Sequence, residues 1–349
     1  MAEKKPLIFD LDYVTLQRLL NEWGQPTYRA TQLWQGLYRQ LWASPEEFSN
    51  FPAALRRQLQ ESLTFSNLNF ERELRSDDQE TIKALFRLPD GRPVEAVLMR
   101  YEHRRTLCIS SQSGCAMGCV FCATGQMGFE RHLTSGEIVE QVLYFARQLK
   151  LTGEKVTNVV LMGMGEPFHN YEACLSAIDR LNDPQGLNLG ERRFTISTVG
   201  VIPKIRQFTE ERRQINLAIS LHAANDTLRS SILPINRKYP IEPLIRACHE
   251  YVEQTGRRIT FEWALIHNTN DTIEHARELA RLLKGLLCHV NVIPLNPTQK
   301  YAGRATTHAR AVAFCAVLES AGTPCSIRIR RGIDIQAGCG QLAAEGRSV

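Results

Sequence analysis

Between residues 8 and 62 apolar side chains recur at helical spacing: Leu16, Leu19, Leu20 and Trp23, then Leu33, Trp34, Leu37, Tyr38 and Leu41, parted by the breakers Gly24 and Pro26. The pattern predicts a small helical module. Residues 81–88 and 94–100 then read as strands on either side of Pro89-Asp90-Gly91, residues suited to a tight turn, and predict a hairpin. From Leu107 onward strand-like and helix-like segments alternate. Strands are predicted over 107–111, 156–162, 193–197, 215–222, 258–266, 288–294 and 326–330, and helices over 135–149, 171–181, 241–254, 272–283 and 307–321. Repeated strand-helix units imply a parallel sheet covered by helices, either doubly wound or closed into a full or partial barrel.

In both architectures ligands gather beyond the carboxyl ends of the strands. The unusual polar residues fall there. Cys115, Cys119 and Cys122 follow the first strand, and Gly163-Met164-Gly165-Glu166-Pro167 follows the second. Ser197-Thr198 ends the third, Ser220-Leu221-His222 ends the fourth, and Asn296 follows the strand ending at Pro294. One pocket at one end of one sheet is the expected result.

At 349 residues and 43% hydrophobic, the chain can bury a large core, which excludes wholesale disorder. No apolar run approaches the roughly 20 residues of a membrane span, and the first five residues lead into no signal-peptide core, so a soluble, cytoplasmic protein is expected. The net charge of +5 is compatible with a nucleic-acid partner without requiring one. Residues 1–90 carry 11 basic and 13 acidic side chains, so the excess lies in the larger part. Arg29, Arg39, Arg56 and Arg57, with aromatics nearby, form either an RNA-contacting face or an ordinary solvated one. Ten cysteines without a secretory signal favour reduced thiols or metal ligation over a disulfide scaffold. Cys174, Cys248, Cys288, Cys315 and Cys325 sit singly and read as small buried hydrophobes.

Cys115, Cys119 and Cys122 place three thiols on a glycine-containing loop, spaced for a soft metal centre. A structural zinc ion normally takes four ligands, and no fourth Cys or His lies at local spacing. A redox dithiol needs only Cys119 and Cys122. A four-iron cluster held by three cysteines leaves one iron open for a ligand. The zinc and dithiol readings remain its alternatives.

Three cysteines so spaced, Phe121 before the last, and a later Gly-rich turn resemble the radical S-adenosylmethionine (SAM) superfamily. Further motifs narrow the match: Ser110-Ser111-Gln112-Ser113-Gly114-Cys115, Ala123-Thr124-Gly125, Gly128-Phe129, Gly163 to Pro167, Ser220 to His222, Pro234-Ile235-Asn236 and Cys339-Gly340-Gln341-Leu342. Together they resemble the RlmN/Cfr family of RNA adenine methyltransferases over nearly the whole chain. The resemblance implies an α/β fold, a partial (β/α)6-type radical SAM barrel with a small N-terminal helical domain. It divides the chain into a helical, RNA-contacting part (1–80), a linking hairpin (81–100) and a catalytic part (101–349).

It also implies a [4Fe-4S] cluster on Cys115, Cys119 and Cys122, and two SAM molecules per turnover. SAM contacts map to Gly165, Glu166, Ser197, Ser220, Leu221, His222 and Asn296. Cys339 would carry the methyl group, Cys108 would release the product by disulfide formation, and Glu95 would take a ring proton. The implied partners are 23S rRNA, tRNA and a flavodoxin- or ferredoxin-type electron donor, with the enzyme a monomer. Pro167 and Ala116-Met117 resemble the branch that methylates adenine carbon 2, the alternative being carbon 8. The rival of another class is a zinc-stabilised RNA-binding module without catalysis. Gly338 departs from the family's usual Ala, and His132 from its common Asn.

Overall fold

The computed structural model describes residues 5–343; the outermost parts of the expected 1–80 and 101–349 units, residues 1–4 and 344–349, lie outside it. The helical periodicity resolves into α1 (Tyr13–Glu22), α2 (Tyr28–Tyr38) and α3 (Ala53–Ser62). Asp12 starts α1 by accepting the Thr15 amide at 2.7 Å, satisfying one orphan donor of the first turn. The apolar stripes of these helices bury Leu16, Leu20, Leu33, Trp34, Leu37, Leu55 and Leu59 in the same core as the sheet, so the module has no separate interior. Gly136 accounts for part of that contact, since a side chain there would run into Asp10 and Phe9. Asp10 instead accepts the Gly136 amide at 2.7 Å.

Next come β1 (Asn69–Arg75), β2 (Thr81–Arg87) and β3 (Pro93–Arg100), a meander in which β2 and β3 are the expected hairpin. β1 was not expected. Its sequence, Asn-Phe-Glu-Arg-Glu-Leu-Arg, carries charge where strand rules look for apolar residues. Such charge suits the outermost strand of a sheet, where it discourages pairing with other chains.

The rest is β4 (Arg105–Cys108), β5 (Gln112–Gly114), α4 (Ala123–Met127), β6 (Phe129–His132), α5 (Ser135–Leu151), β7 (Asn158–Leu161), α6 (Tyr171–Asn182), β8 (Phe194–Thr198) and α7 (Ile202–Glu211). It continues through β9 (Asn216–Ser220), α8 (Asp226–Ile232), α9 (Ile241–Thr255), β10 (Ile259–Leu265), α10 (Ile273–Leu282), β11 (Cys288–Pro294), α11 (His308–Ser320) and β12 (Cys325–Ile327). Ten strands form one sheet in the order β1-β2-β3-β4-β7-β8-β9-β10-β11-β12. Pairing is antiparallel up to β4 and parallel beyond it.

The six units β4/α5, β7/α6, β8/α7, β9/α9, β10/α10 and β11/α11, followed by β12, make the expected partial barrel. The parallel part curls so that Arg328 just past β12 shares a cavity with Cys108 of β4 and reaches Met162 just past β7. Helix α7 escaped the sequence reading because Pro203 and a polar face interrupt its stripe. Leu221 and His222, expected at the end of a strand, follow β9 instead, where His222 takes a positive φ of 59° that ends the extended run.

Among the remaining cysteines, Cys174, Cys248 and Cys288 are buried as expected. Cys315 and Cys325 depart from that reading: α11 and β12 hold them as a disulfide, with Cα atoms 5.4 Å apart. Tertiary packing alone brings that pair together. Among the described residues no helix is long and apolar enough to cross a membrane.

Candidate active site

β5 and β6 pair and bracket the loop of the three clustered cysteines. Gly114, at φ +71°, passes so close to the Gly128 carbonyl that no side chain fits, and Cys115 donates its amide to that carbonyl at 2.8 Å. The loop then lies against Ala223, Ile232 and Leu233, burying Cys115 and Cys119 and leaving Cys122 half-buried at the start of α4. Burial pushes the Cys115 thiol up to about 12 and Cys119 well above its ordinary value, with neighbouring sulfurs and Glu166 adding to it. A metal centre would reverse this by favouring thiolate. Among the described residues no three Cys, His, Asp or Glu side chains are grouped to hold a single metal ion.

The strand ends converge on the same cavity. It is lined by Cys115, Cys119 and Cys122, by Gly163, Gly165 and Glu166 after β7, and by Ser197 of β8 and Ser220 of β9. Thr124, Thr198, His222, Glu262, Asn296 and Cys339 complete the polar lining. Gly163 and Gly165 face this space, yet what they approach most closely is the chain itself. A Cβ at Gly163 would meet the Ile109 carbonyl and one at Gly165 the Gln112 side chain, so these glycines first serve to seat the turn against the β4–β5 segment.

Glu166 is fully enclosed. Its two carboxylate oxygens accept the Phe168 and Val199 amides, each at 2.9 Å, and burial raises its pKa to about 7. Ser197 and Ser220 face each other across β8 and β9, Oγ to Oγ 3.5 Å. His222 is neutral, because burial and the Arg229 guanidinium lower its pKa to about 3. Its Nδ1 accepts the Ala264 amide at 2.8 Å, which puts the ring proton on Nε2. Asn296 donates to the Cys339 carbonyl at 3.0 Å while its own Oδ1 is buried without a partner among the described residues. That orphaned acceptor, lining the cavity, is what a bound polar ligand would satisfy. The Leu221 side chain is buried in the main core, so what this residue can offer a ligand is its backbone.

The second half of the site is set by strand register. Cys108 on β4 lies opposite Val97 on β3, so Cys108, Val97, Met99 and Glu95 face one side of the sheet. The C-terminal loop covers that side with Ala337 and Leu342. It is held at several points: the Ala123 amide bonds the Gly340 carbonyl at 2.7 Å, Thr124 Oγ1 the Leu342 carbonyl at 2.6 Å, and Gln341 Nε2 the Pro297 carbonyl at 3.0 Å. Gly338 fits tightly here, since a Cβ would crowd the side chains of Gln341 and Asn296. Cys339 is exposed on this loop and lines a second, adjoining cavity with Cys108, Met162 and Arg328. It therefore borders both the cavity of the clustered cysteines and that of Cys108.

Glu95 is placed differently from these residues. It lines neither cavity and is buried in an ion pair with Lys83 of β2, Nζ to Oε1 3.1 Å. The same Nζ donates to the Gln336 carbonyl at 3.1 Å, so Lys83 ties Glu95 to the loop that carries Cys339.

Two arginines, one buried and one half-buried, are not marked by the sequence pattern, because a charged side chain there reads as solvated. Arg229, fully buried, donates to the Leu221, Val199 and Ser220 carbonyls and to Asn236 Oδ1. It fixes the turns after β8 and β9, and it gives the Pro234-Ile235-Asn236 motif its reason. Arg328 lies beside Cys108 and Cys339, and its charge favours the thiolate of both, against the burial that pushes the Cys108 thiol up to about 12. Cys339 alkylation by iodoacetamide should rise with pH, because the exposed thiol reacts only as its thiolate. In Arg328→Gln the rate at each pH should fall. A pH-independent rate, followed by peptide mass spectrometry, would contradict this assignment of the thiol.

The donors present fit the group the sequence resemblance calls for: three thiols in one buried loop, an enclosed carboxylate, facing serines and an unsatisfied amide oxygen around one cavity. Comparison with known proteins agrees. Residues 109–283 match the Radical SAM superfamily, and residues 8–64 match the ribosomal RNA large subunit methyltransferase N-terminal domain. The chain is 50% identical, over 97% of its length and 94% of the relative's, to dual-specificity RNA methyltransferase RlmN 1 of Myxococcus xanthus. It is 46% identical, over 98% and 94%, to a probable dual-specificity RNA methyltransferase RlmN of Chloroflexus aurantiacus. A crystal structure of a radical SAM methyltransferase from Sphaerobacter thermophilus superposes with a TM-score of 0.96 at 49% identity, covering 97% of this chain and all of the other. A four-iron cluster and SAM follow as the cofactors of the superfamily. The chain belongs to the RlmN family of radical SAM RNA methyltransferases.

Proposed function

We propose that this protein methylates carbon 2 of an adenine in 23S rRNA, in the peptidyl-transferase region, and of the adenine 3′ of the anticodon in some tRNAs. The observation that carries the reading is Cys339, placed on the border of the cluster cavity and the Cys108 cavity. Carbon 2 of adenine lies between two ring nitrogens and is too electron-poor to attack a sulfonium methyl group directly. When bound, the cluster and two SAM molecules supply the methyl group and a deoxyadenosyl radical.

Cys115, Cys119 and Cys122 hold the cluster, while Glu166, Ser197, Ser220, His222, Asn296 and the backbone at Gly165 and Leu221 bind SAM. Neutral His222 offers an N–H donor, and Asn296 Oδ1 offers the free acceptor. Cys339 carries the methyl group, loses a hydrogen from it, and joins the adenine through that carbon. Restoring the aromatic ring removes the carbon-2 proton and one electron, which the bound cluster would accept. The Cys108 thiolate then attacks the Cys339 sulfur, the sulfur–carbon bond breaks as the disulfide forms, and the released carbon takes a proton to become the methyl group. An external reductant supplies the two electrons that reset the pair. Glu95 takes the ring proton, which requires the loop tied to it through Lys83 to shift during the cycle.

In this reading the helical part (1–80) contacts RNA, the hairpin (81–100) links it to the catalytic part (101–349), and a flavodoxin- or ferredoxin-type protein delivers electrons to a cytoplasmic monomer. The target base is presented splayed out, since its reactive atom is hidden inside a stacked helix.

The test is anaerobic reconstitution with SAM, reductant and unmodified 23S rRNA, with the new methyl group located by mass spectrometry. Methylation at carbon 2 that disappears in Cys339→Ala is the expected result. Carbon 8 product would move the protein to the other branch of the family. A zinc-loaded, inactive protein would leave only RNA binding.

A further inference from the structure

The cavity that holds Cys108 and Cys339 has a cationic rim that the chemistry above does not use. Tyr101, just past β3, and residues 328–331, just past β12, line it. The Arg331 guanidinium carbon lies 4.5 Å from the Tyr101 ring centroid and that of Arg104 lies 4.9 Å away, within cation–π range. A guanidinium resting on a ring keeps its N–H edge free for an oxyanion. Arg331 Nε is buried with no hydrogen-bond partner among the described residues, and the Glu80 contact of this side chain is a long 3.9 Å.

Arg104 and Arg330 are exposed and make no ion pair among the described residues. Ile329 between the arginines is 75% exposed, an unusual place for a large apolar side chain. Among the described residues the acids facing this rim are Glu80 and Asp78, both beside Arg331, and Glu102, which sits 3.4 Å from His103.

We propose that this rim, formed by Tyr101, Arg104, Ile329, Arg330 and Arg331, is where the RNA strand enters, its guanidinium groups binding the phosphates on either side of the splayed-out adenine. The assignment rests on the function proposed above. An acidic electron-transfer protein also favours a basic face, but this rim opens on Cys339 and Cys108, where the base must arrive. Phosphates bound by arginine position a strand without reading its sequence, so the rim serves 23S rRNA and tRNA alike. Exposed Ile329 supplies an apolar surface against which a base beside the vacated stacking position can lie.

The test compares wild type, a triple variant Arg104→Ala/Arg330→Ala/Arg331→Ala, and the same three positions changed to Lys. Affinity for an unmodified 23S rRNA fragment and for a tRNA transcript is measured by fluorescence anisotropy across a salt series. SAM-dependent methylation of Cys339 without RNA is followed by mass spectrometry.

The alanine triple should weaken both RNAs on the order of 10- to 100-fold at about 0.1 M salt and flatten the salt slope by about 2, near 0.7 per lost single-strand phosphate contact. The lysine triple should restore most of the slope, and Cys339 methylation should match wild type in both. Unchanged RNA affinity would overturn the proposal; if cluster reduction by an acidic donor protein slowed instead, the face would belong to that donor. Loss of Cys339 methylation in both triples would make the cluster structural and equally overturn it. Wild-type protein that neither methylates Cys339 nor binds RNA would instead refute the underlying function, and the entry site with it.

Discussion

Replacing Cys108 with alanine is expected to arrest the protein as a covalent conjugate with its RNA. In the proposed cycle the base is joined to Cys339 through the transferred carbon, and only a second sulfur can release it. The structure offers Cys108 for this step: it shares a cavity with Cys339, in a chain whose other free thiols are either grouped in the cluster loop or buried elsewhere. Register places it there, since Cys108 opposite Val97 must face the side covered by the C-terminal loop. Multiple turnover should fall by about a thousandfold or more, the scale of losing a group the reaction cannot replace. Labelled RNA should migrate with the protein on a denaturing gel, and Cys108→Ala/Cys339→Ala should abolish the band. Release of free methylated RNA at the wild-type rate would remove Cys108 from the cycle.

The largest expected loss of stability comes from Lys83→Met. Lys83 and Glu95 are almost completely buried, 8% and 2% exposed at their side chains, and 3.1 Å apart. Removing the cation leaves the Glu95 carboxylate in a low-dielectric setting without the charge facing it. Breaking a buried pair in this way costs about 3–5 kcal/mol. Lys83 also bonds the Gln336 carbonyl, so the loop carrying Cys339 should loosen as well. Urea unfolding should show a lower midpoint at an unchanged slope. Lys83→Met/Glu95→Leu should recover most of the loss, because two apolar side chains carry no desolvation cost. If the single variant cost less than about 1 kcal/mol, the pair would behave as a hydrated surface contact.

The α/β architecture was legible because its causes are local. The periodicity of Leu16 to Leu41, the alternation after Leu107 and the turn at Pro89-Asp90-Gly91 each depend on neighbours a few residues away. β1 and α7 escaped for equally local reasons: one is an edge strand built of charges, the other a helix opened by proline. The candidate site was legible in another way. Cys115, Cys119 and Cys122 are close in sequence, so their spacing alone indicated a shared centre, and the rule that strand ends converge brought Glu166, Ser197, Ser220, His222 and Asn296 toward it.

What the sequence determined by itself, then, is the order of strands and helices and the short-range cysteine motif, because both arise from residues within one or two turns of each other. Tertiary structure alone decided the rest. Sheet register turned Cys108 toward Cys339, and curling of the sheet brought Arg328 to Met162 and closed the second cavity. Packing also buried Arg229 among carbonyls, paired Cys315 with Cys325, sent Leu221 into the core and joined Glu95 to Lys83. Cys108 and Cys339, like Arg328 and Met162, lie too far apart along the chain for their separation to carry a signal, and their meeting depends on how the twisted sheet brings β12 back toward β4 and β7.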